Sequence, residues 1–214
     1  SWVLLRDGDG RPLNTVLFPE GLLSLQVFEV RYLDMILKCQ HADAPFGVLA
    51  LQAGQEVRKA GAQTERLHSE GVLARIARLD SPQPGLLHLQ CKGAQRFHIQ
   101  RCWQLPHGLW VADVTMLPDD PKVTVPKHLL STSHALAQAL LNLHDHDPDH
   151  AQLPTPAQMH DCAWVANRWA EMLPLPVRIK QQLMTLDAPL LRLELIADVL
   201  EQSGITGSSP QDDA

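Results

Sequence analysis

Imidazoles and carboxylates crowd into one short stretch of the chain, His144-Asp145-His146-Asp147-Pro148-Asp149-His150, with His160 and Asp161 a little further on. Both side-chain types donate to borderline divalent ions, so zinc, nickel or copper is the first chemistry to weigh, with His144, His146 and His150 as candidate ligands. Pro148 breaks the helical pattern, however, and alternate residues of a loop are not preorganised. The stretch therefore reads as a solvated connection between helices. Ser131 and Ser133 stand beside His134 on a helical pattern with no matched acid, and neither a Gly-x-Ser-x-Gly elbow nor a Gly-x-x-x-x-Gly-Lys-Ser/Thr phosphate loop occurs. A Ser-Lys nucleophile needs a desolvated lysine poised on the serine, and no motif promises one. No enzymatic chemistry is expected from these residues, and no cofactor is called for.

The remaining candidates are for binding. Arg96, His98, Gln100 and Arg101 make a basic polar strip beside Phe97 and Trp103 that could clamp nucleic acid, although a solvated strand face is the weightier reading. Trp2, Trp103, Trp110, Trp164 and Trp169 could wall a ligand but read mainly as packing. Trp164 and Trp169 are five apart and do not share one helix face well, so one of them is expected to be less buried. Cys39, Cys91, Cys102 and Cys162 are spaced neither for zinc nor for a redox pair and read as reduced, mostly buried thiols. Cys91 and Cys102 could face each other on neighbouring strands. Glu29 and Arg31 are either a recognition pair at a cleft or, with more weight, a pair that sets the fold near a helix N-terminus.

Elements must hold these residues in place. Phe18-Pro19-Glu20-Gly21 reads as a turn between two strands, because Pro19 cannot donate to a ladder and Gly21 relaxes the backbone. Leu23, Leu25 and Val27 then alternate with Ser24 and Gln26, after which Tyr32, Leu33, Ile36 and Leu37 take up helical spacing. Strand alternation returns at 46–51, 72–77, 87–91, 97–100 and 110–116, with Lys92-Gly93-Ala94 and Pro106-His107-Gly108 as turns. From Pro118 the pattern is helical. Segments start near Pro126, after Asp161, at Val177 and after Asp187-Ala188-Pro189, and the last ends at Gly204. The expected architecture is α+β: residues 1–120 as a small twisted barrel-like sheet with one helix, 121–204 as a helical bundle, and 205–214 as a polar, frayed tail.

The run from Asn14 through Phe18-Pro19, Gly21-Leu22 and Phe28-Glu29-x-Arg31-Tyr32 resembles the start of the N-terminal, substrate-recognition domain of Lon proteases. Gly93-x-x-Arg96-Phe97 resembles a later strand of that family, and Lys180-Gln181 through Leu183 with Arg192-Leu193 resembles its last helices. The resemblance thus spans nearly the whole chain, and it implies a PUA-like β domain followed by helices. It also implies a holder of unfolded or flexible polypeptide, working with a protease or its clients, and with no phosphate loop and no Ser-Lys motif a stand-alone, non-catalytic version lacking the ATPase and peptidase parts is expected. Phe28, Arg31, Tyr32, Arg96, Trp103 and Trp110 are the candidate binding residues. The long polar stretch from Gln52 to Glu70 departs from the family pattern, and a loop of that size often carries specificity.

Composition sets the outer limits. The 214 residues are 45% hydrophobic and 20% charged, enough to bury a substantial core. A formal charge of −6 disfavours a nucleic-acid surface, although the PUA-like expectation keeps RNA or a small ligand as an alternative. No apolar run approaches the roughly 18 residues of a membrane span, and the first residues lack a signal-peptide pattern, so a cytoplasmic protein without a membrane partner is expected. A structural or homo-oligomeric role is the third reading.

Overall fold

The computed structural model describes residues 2–6, 16–50, 68–148 and 153–205. By contacts the chain divides into two compact units, Ser1–Asp119 with Leu175–Thr185, and Asp120–Pro174 with Leu186–Ala214.

In the first unit the strands are β1 (Trp2–Arg6), β2 (Leu22–Val27), β3 (Phe46–Leu49), β4 (Glu70–Gln83), β5 (Leu86–Gln104) and β6 (Trp110–Met116). Helix α1 (Val30–His41) follows β2. β1 pairs in parallel with β3 and antiparallel with β6, while β3–β4, β4–β5 and β5–β6 are all antiparallel, so these five strands close a ring. β2 lies outside the ring on the first half of β5. Closure follows from alternation: Leu49, Leu73, Phe97 and Ala112 are buried in one cluster, with Ile99, Trp110, Val114 and Met116 packed against it. The expected twisted, barrel-like sheet is what the chain forms.

Two expected turns come out differently. Lys92-Gly93-Ala94 is no turn, since β5 runs unbroken from Leu86 to Gln104. Gly93 is there because another backbone comes close: its N–H donates to Gly21 O at 2.8 Å, its carbonyl accepts from Glu20 N at 2.9 Å, and a Cβ would stand 2.1 Å from Phe18 O. One consequence is that Cys91 and Cys102 share a strand and do not face each other on neighbouring ones. The Phe18-Pro19-Glu20-Gly21 turn forms and leads into β2, but residues 16–18 before it are not a strand. The hairpin turn the sequence did not flag is at Gln83-Pro84-Gly85-Leu86, where Gly85 has φ of +80° between β4 and β5. The expected turn at Pro106-His107-Gly108 joins β5 to β6, with Gly108 at φ of +86°.

Helix α5 (Val177–Thr185) is counted with this sheet. Its buried Gln181 donates to Glu70 O at 2.9 Å, and Arg96 of β5 reaches its Met184 carbonyl at 3.1 Å. Such side-chain to backbone bonds satisfy carbonyls that neither the helix nor the sheet would use.

The second unit holds α2 (Leu130–His146), α3 (Pro156–Met159), α4 (Cys162–Met172) and α6 (Pro189–Gln202). Thr155 and Gln158 form a capping box at α3, and Asp161 caps α4 by accepting from Ala163 N, as its position before an apolar helical run predicts. α4 is buried almost all round. Trp164 and Trp169 are both only 4% exposed, against the expectation that one would be less buried, because α4 is covered on more than one face. Trp169 Nε1 donates to Thr132 O at 3.0 Å.

Candidate functional site

The chain leaves β2 at Val27 and enters α1 at Val30, and this junction is where Phe28, Glu29, Arg31 and Tyr32 meet. Glu29 is the N-cap residue, and its carbonyl accepts from Tyr32 N and Leu33 N at 2.9 Å. Its carboxylate pairs with Arg31 Nη2 at 2.7 Å. Arg31 Nη1 donates to Gly108 O at 3.0 Å, and Gln104 Nε2 donates to the same carbonyl at 3.0 Å. The guanidinium also lies 4.8 Å from the centre of the Tyr32 ring. Arg31 therefore ties the start of α1 to the tip of the β5–β6 hairpin. A Cβ on Gly108 would stand 2.7 Å from Arg31 Nη1, so the small residue keeps this approach open.

Around that tie the surface is apolar. Phe28 is 60% exposed, Val30 73% and Leu37 40%. On α1 the buried residues are Tyr32, Met35, Ile36 and Cys39, and Val30 and Leu37, seven apart, lie on the opposite face. A solvated helix face ordinarily carries polar residues at such positions. The outer edge of β2, just before Phe28, pairs with no strand among the described residues.

The other candidates are placed apart in role. Trp103 is half-buried with the Arg101 guanidinium 4.9 Å from its ring, and Arg101 pairs with Asp113 at 2.9 Å. Trp110 packs against the barrel cluster. Arg96 does not lie on a solvated strand face: it is buried, its guanidinium bound to Met184 O and Pro118 O, because buried cations need acceptors on every side. His144 is half-buried and His146 exposed at the end of α2, while His150 lies outside the described residues, as do positions 52–67 of the long polar stretch and 206–214 of the tail. No three His, Cys, Asp or Glu side chains among the described residues group as metal ligands would. Ser133 donates to Met159 O at 2.6 Å from inside α2. Burial pushes the Cys91 thiol up to about 12, and burial with the Asp161 charge pushes Cys162 to about 11, so neither is a reactive thiolate. No helix among the described residues is long and apolar enough to cross a membrane.

Sequence reasoning named Arg192 only within the family resemblance and gave it no role; it is buried and donates to Asp120 Oδ2 at 2.7 Å, to Asn167 Oδ1 at 2.8 Å and to Leu186 O. Its signal was an arginine inside an otherwise apolar helical pattern.

Residues 11–202 match the family described as ATP-dependent protease La (LON) substrate-binding domain. The fold is similar to the crystal structure of a Lon N-terminal domain protein from Xanthomonas campestris, at 27% identity and a TM-score of 0.70, covering 92% of this chain and 96% of that one. It is also similar to the N-terminal domain of Mycobacterium avium complex Lon protease, at 16% identity and a TM-score of 0.53 over 91% of this chain and 94% of that one, a likeness of fold alone. No curated protein matches the chain.

Proposed function

The chain belongs to the LON substrate-binding domain family, whose members are substrate-recognition modules, and from this we propose that it is a non-catalytic holder of unfolded or flexible polypeptide. The observation that carries the reading is the pairing of an open strand edge with exposed apolar side chains: β2 has no outer neighbour among the described residues, and Phe28, Val30 and Leu37 continue from its end. An extended segment can pair its main chain with such an edge and set apolar side chains against such a patch. Neither contact needs a nucleophile, metal or cofactor. Arg31 holds the patch rigid by anchoring α1 to Gly108, and Tyr32 lies beneath it, buried.

The test is a titration of a labelled, permanently unfolded model protein against the full chain. Saturable binding is expected, weakened about tenfold when Phe28 and Val30 are both changed to Ser, since central apolar anchors carry most of an interface's energy. Because both side chains face solvent, the thermal midpoint should hardly move. No saturation at high micromolar concentration, or unchanged binding in the variant, would count against the reading.

A further inference from the structure

We propose a second docking surface on the first unit: the polar face of the β2–β5–β4 ribbon, which takes an extended polypeptide segment with carboxylates at alternate positions, added along the open edge of β4. Only the class of occupant is shared with the function proposed above; the surface is different. Three rows cross the ribbon on one face, because residues directly opposite in antiparallel pairs point the same way. They are Leu22–Lys92–Arg75, Ser24–Gln90–Arg78 and Gln26–His88–Asp80. The other face is the core side, where Leu23, Leu25, Leu87, Leu89 and Cys91 are buried.

Lys92 and Arg75 are direct cross-strand partners, an arrangement of like charges that destabilises a sheet. Among the described residues neither meets a carboxylate. The third cation is brought to this face by a backbone irregularity. Between Ile76 and Arg78 the register of β4 shifts, leaving Ala77 as the extra residue, so Arg78 joins Arg75 where strict alternation would have turned it to the core. Arg78 is 61% exposed, and among the described residues its one carboxylate neighbour is Asp80, 2.9 Å away on the same strand. A cationic face on a chain of net charge −6 is a local concentration of charge, and its complement is an anion.

Edge geometry selects the anion. β3 pairs with β4 only at Val72, Leu73 and Ala74, so from Arg75 onward the outer edge of β4 is open among the described residues. A strand added there would place every second side chain beside Arg75 and Arg78. Nucleic acid fits less well, because the rows hold no Phe, Tyr or Trp for bases to stack on, only the single imidazole of His88.

Fluorescence anisotropy of the full chain with a labelled peptide alternating Thr and Glu tests this, beside a Thr–Gln peptide, a peptide with the same Glu content in one block, and a single-stranded oligonucleotide. Saturable binding of the alternating Glu peptide is expected, with the Gln and block peptides and the oligonucleotide each at least about tenfold weaker. Arg75→Glu sets a carboxylate opposite Lys92; it should raise the thermal midpoint and abolish peptide binding, an outcome that misfolding cannot imitate. Phe28→Ser should leave acidic-peptide binding intact. Equal binding of the Gln or block peptide, tighter binding of the oligonucleotide, full binding by Arg75→Glu or loss in Phe28→Ser would each overturn the proposal. If the unfolded model protein fails to bind while the acidic peptide succeeds, the function proposed above falls and this surface stands.

Discussion

A methyl group on residue 93 would stand 2.1 Å from the Phe18 carbonyl oxygen, an atom of the backbone that cannot swing aside. Gly93→Ala should therefore destabilise the chain by about 3 kcal/mol or more, or prevent folding, in a urea titration, whereas Gly85→Ala, whose Cβ would meet nothing within 4 Å, should show only the modest strain of its positive φ. Cys91 offers a second residue-scale test. Its thiol is raised by burial from an ordinary value near 9 to about 12, so the folded chain holds that proton more tightly than the unfolded one. The resulting stability is complete below pH 9 and is lost as pH rises from there toward 12. Urea titrations between those limits should show stability falling with pH, with a shallower fall in Cys91→Ala. A pH-independent limb in the parent would contradict the burial argument. At this scale the sequence pointed to residues more readily than to roles: Glu29 and Arg31 do pair at the start of α1, but Gly93 was taken for a turn. Glycine in a strand and glycine in a turn look the same until the approaching backbone is seen.

Among the elements, β5 and α6 carry the most consequence. The long β5 pairs with β4 along 86–98, with β2 along 87–92 and with β6 along 97–104, which is how one strand belongs to both the ribbon and the ring. In the second unit, Arg192 of α6, 1% exposed, joins Asp120, Asn167 of α4 and the Leu186 carbonyl. Removing the guanidinium leaves the Asp120 carboxylate buried without its cation, so Arg192→Ala should cost about 3 to 5 kcal/mol. Adding Asp120→Ala to it should recover part of that loss, measured by urea denaturation followed through Trp164 and Trp169 fluorescence of the same unit. Additive losses would mean the pair is not coupled. Helix positions were legible in the chain because period, caps and prolines are local signals: Asp161 before α4 and Pro189 opening α6 fall where expected. The burial of α4 on more than one face was not legible, since it depends on what packs there.

For the whole molecule, the balance of charge bears on the rival RNA reading. With a net charge of −6, the chain should show no saturable binding to structured RNA at physiological salt. Filter binding across a salt series would check this, and a steep loss of strong binding with rising salt would restore RNA as partner. The candidate site was legible only in pieces. Phe28, Arg31 and Tyr32 belong to one junction, but Trp110 packs into the barrel and Arg96 is buried, because alternation tells which residues share a face and not which face solvent reaches. By itself the sequence determined the class of fold, the run of strands before helices, the caps and the family, since each is written in near neighbours and periodicity. Ring closure through the parallel β1–β3 pair, the unbroken β5, the placing of α5 with the sheet and the face to which Arg78 turns were decided only in three dimensions. They rest on contacts between residues far apart in the chain, where the approach of one backbone to another, and not the local pattern, selects the conformation.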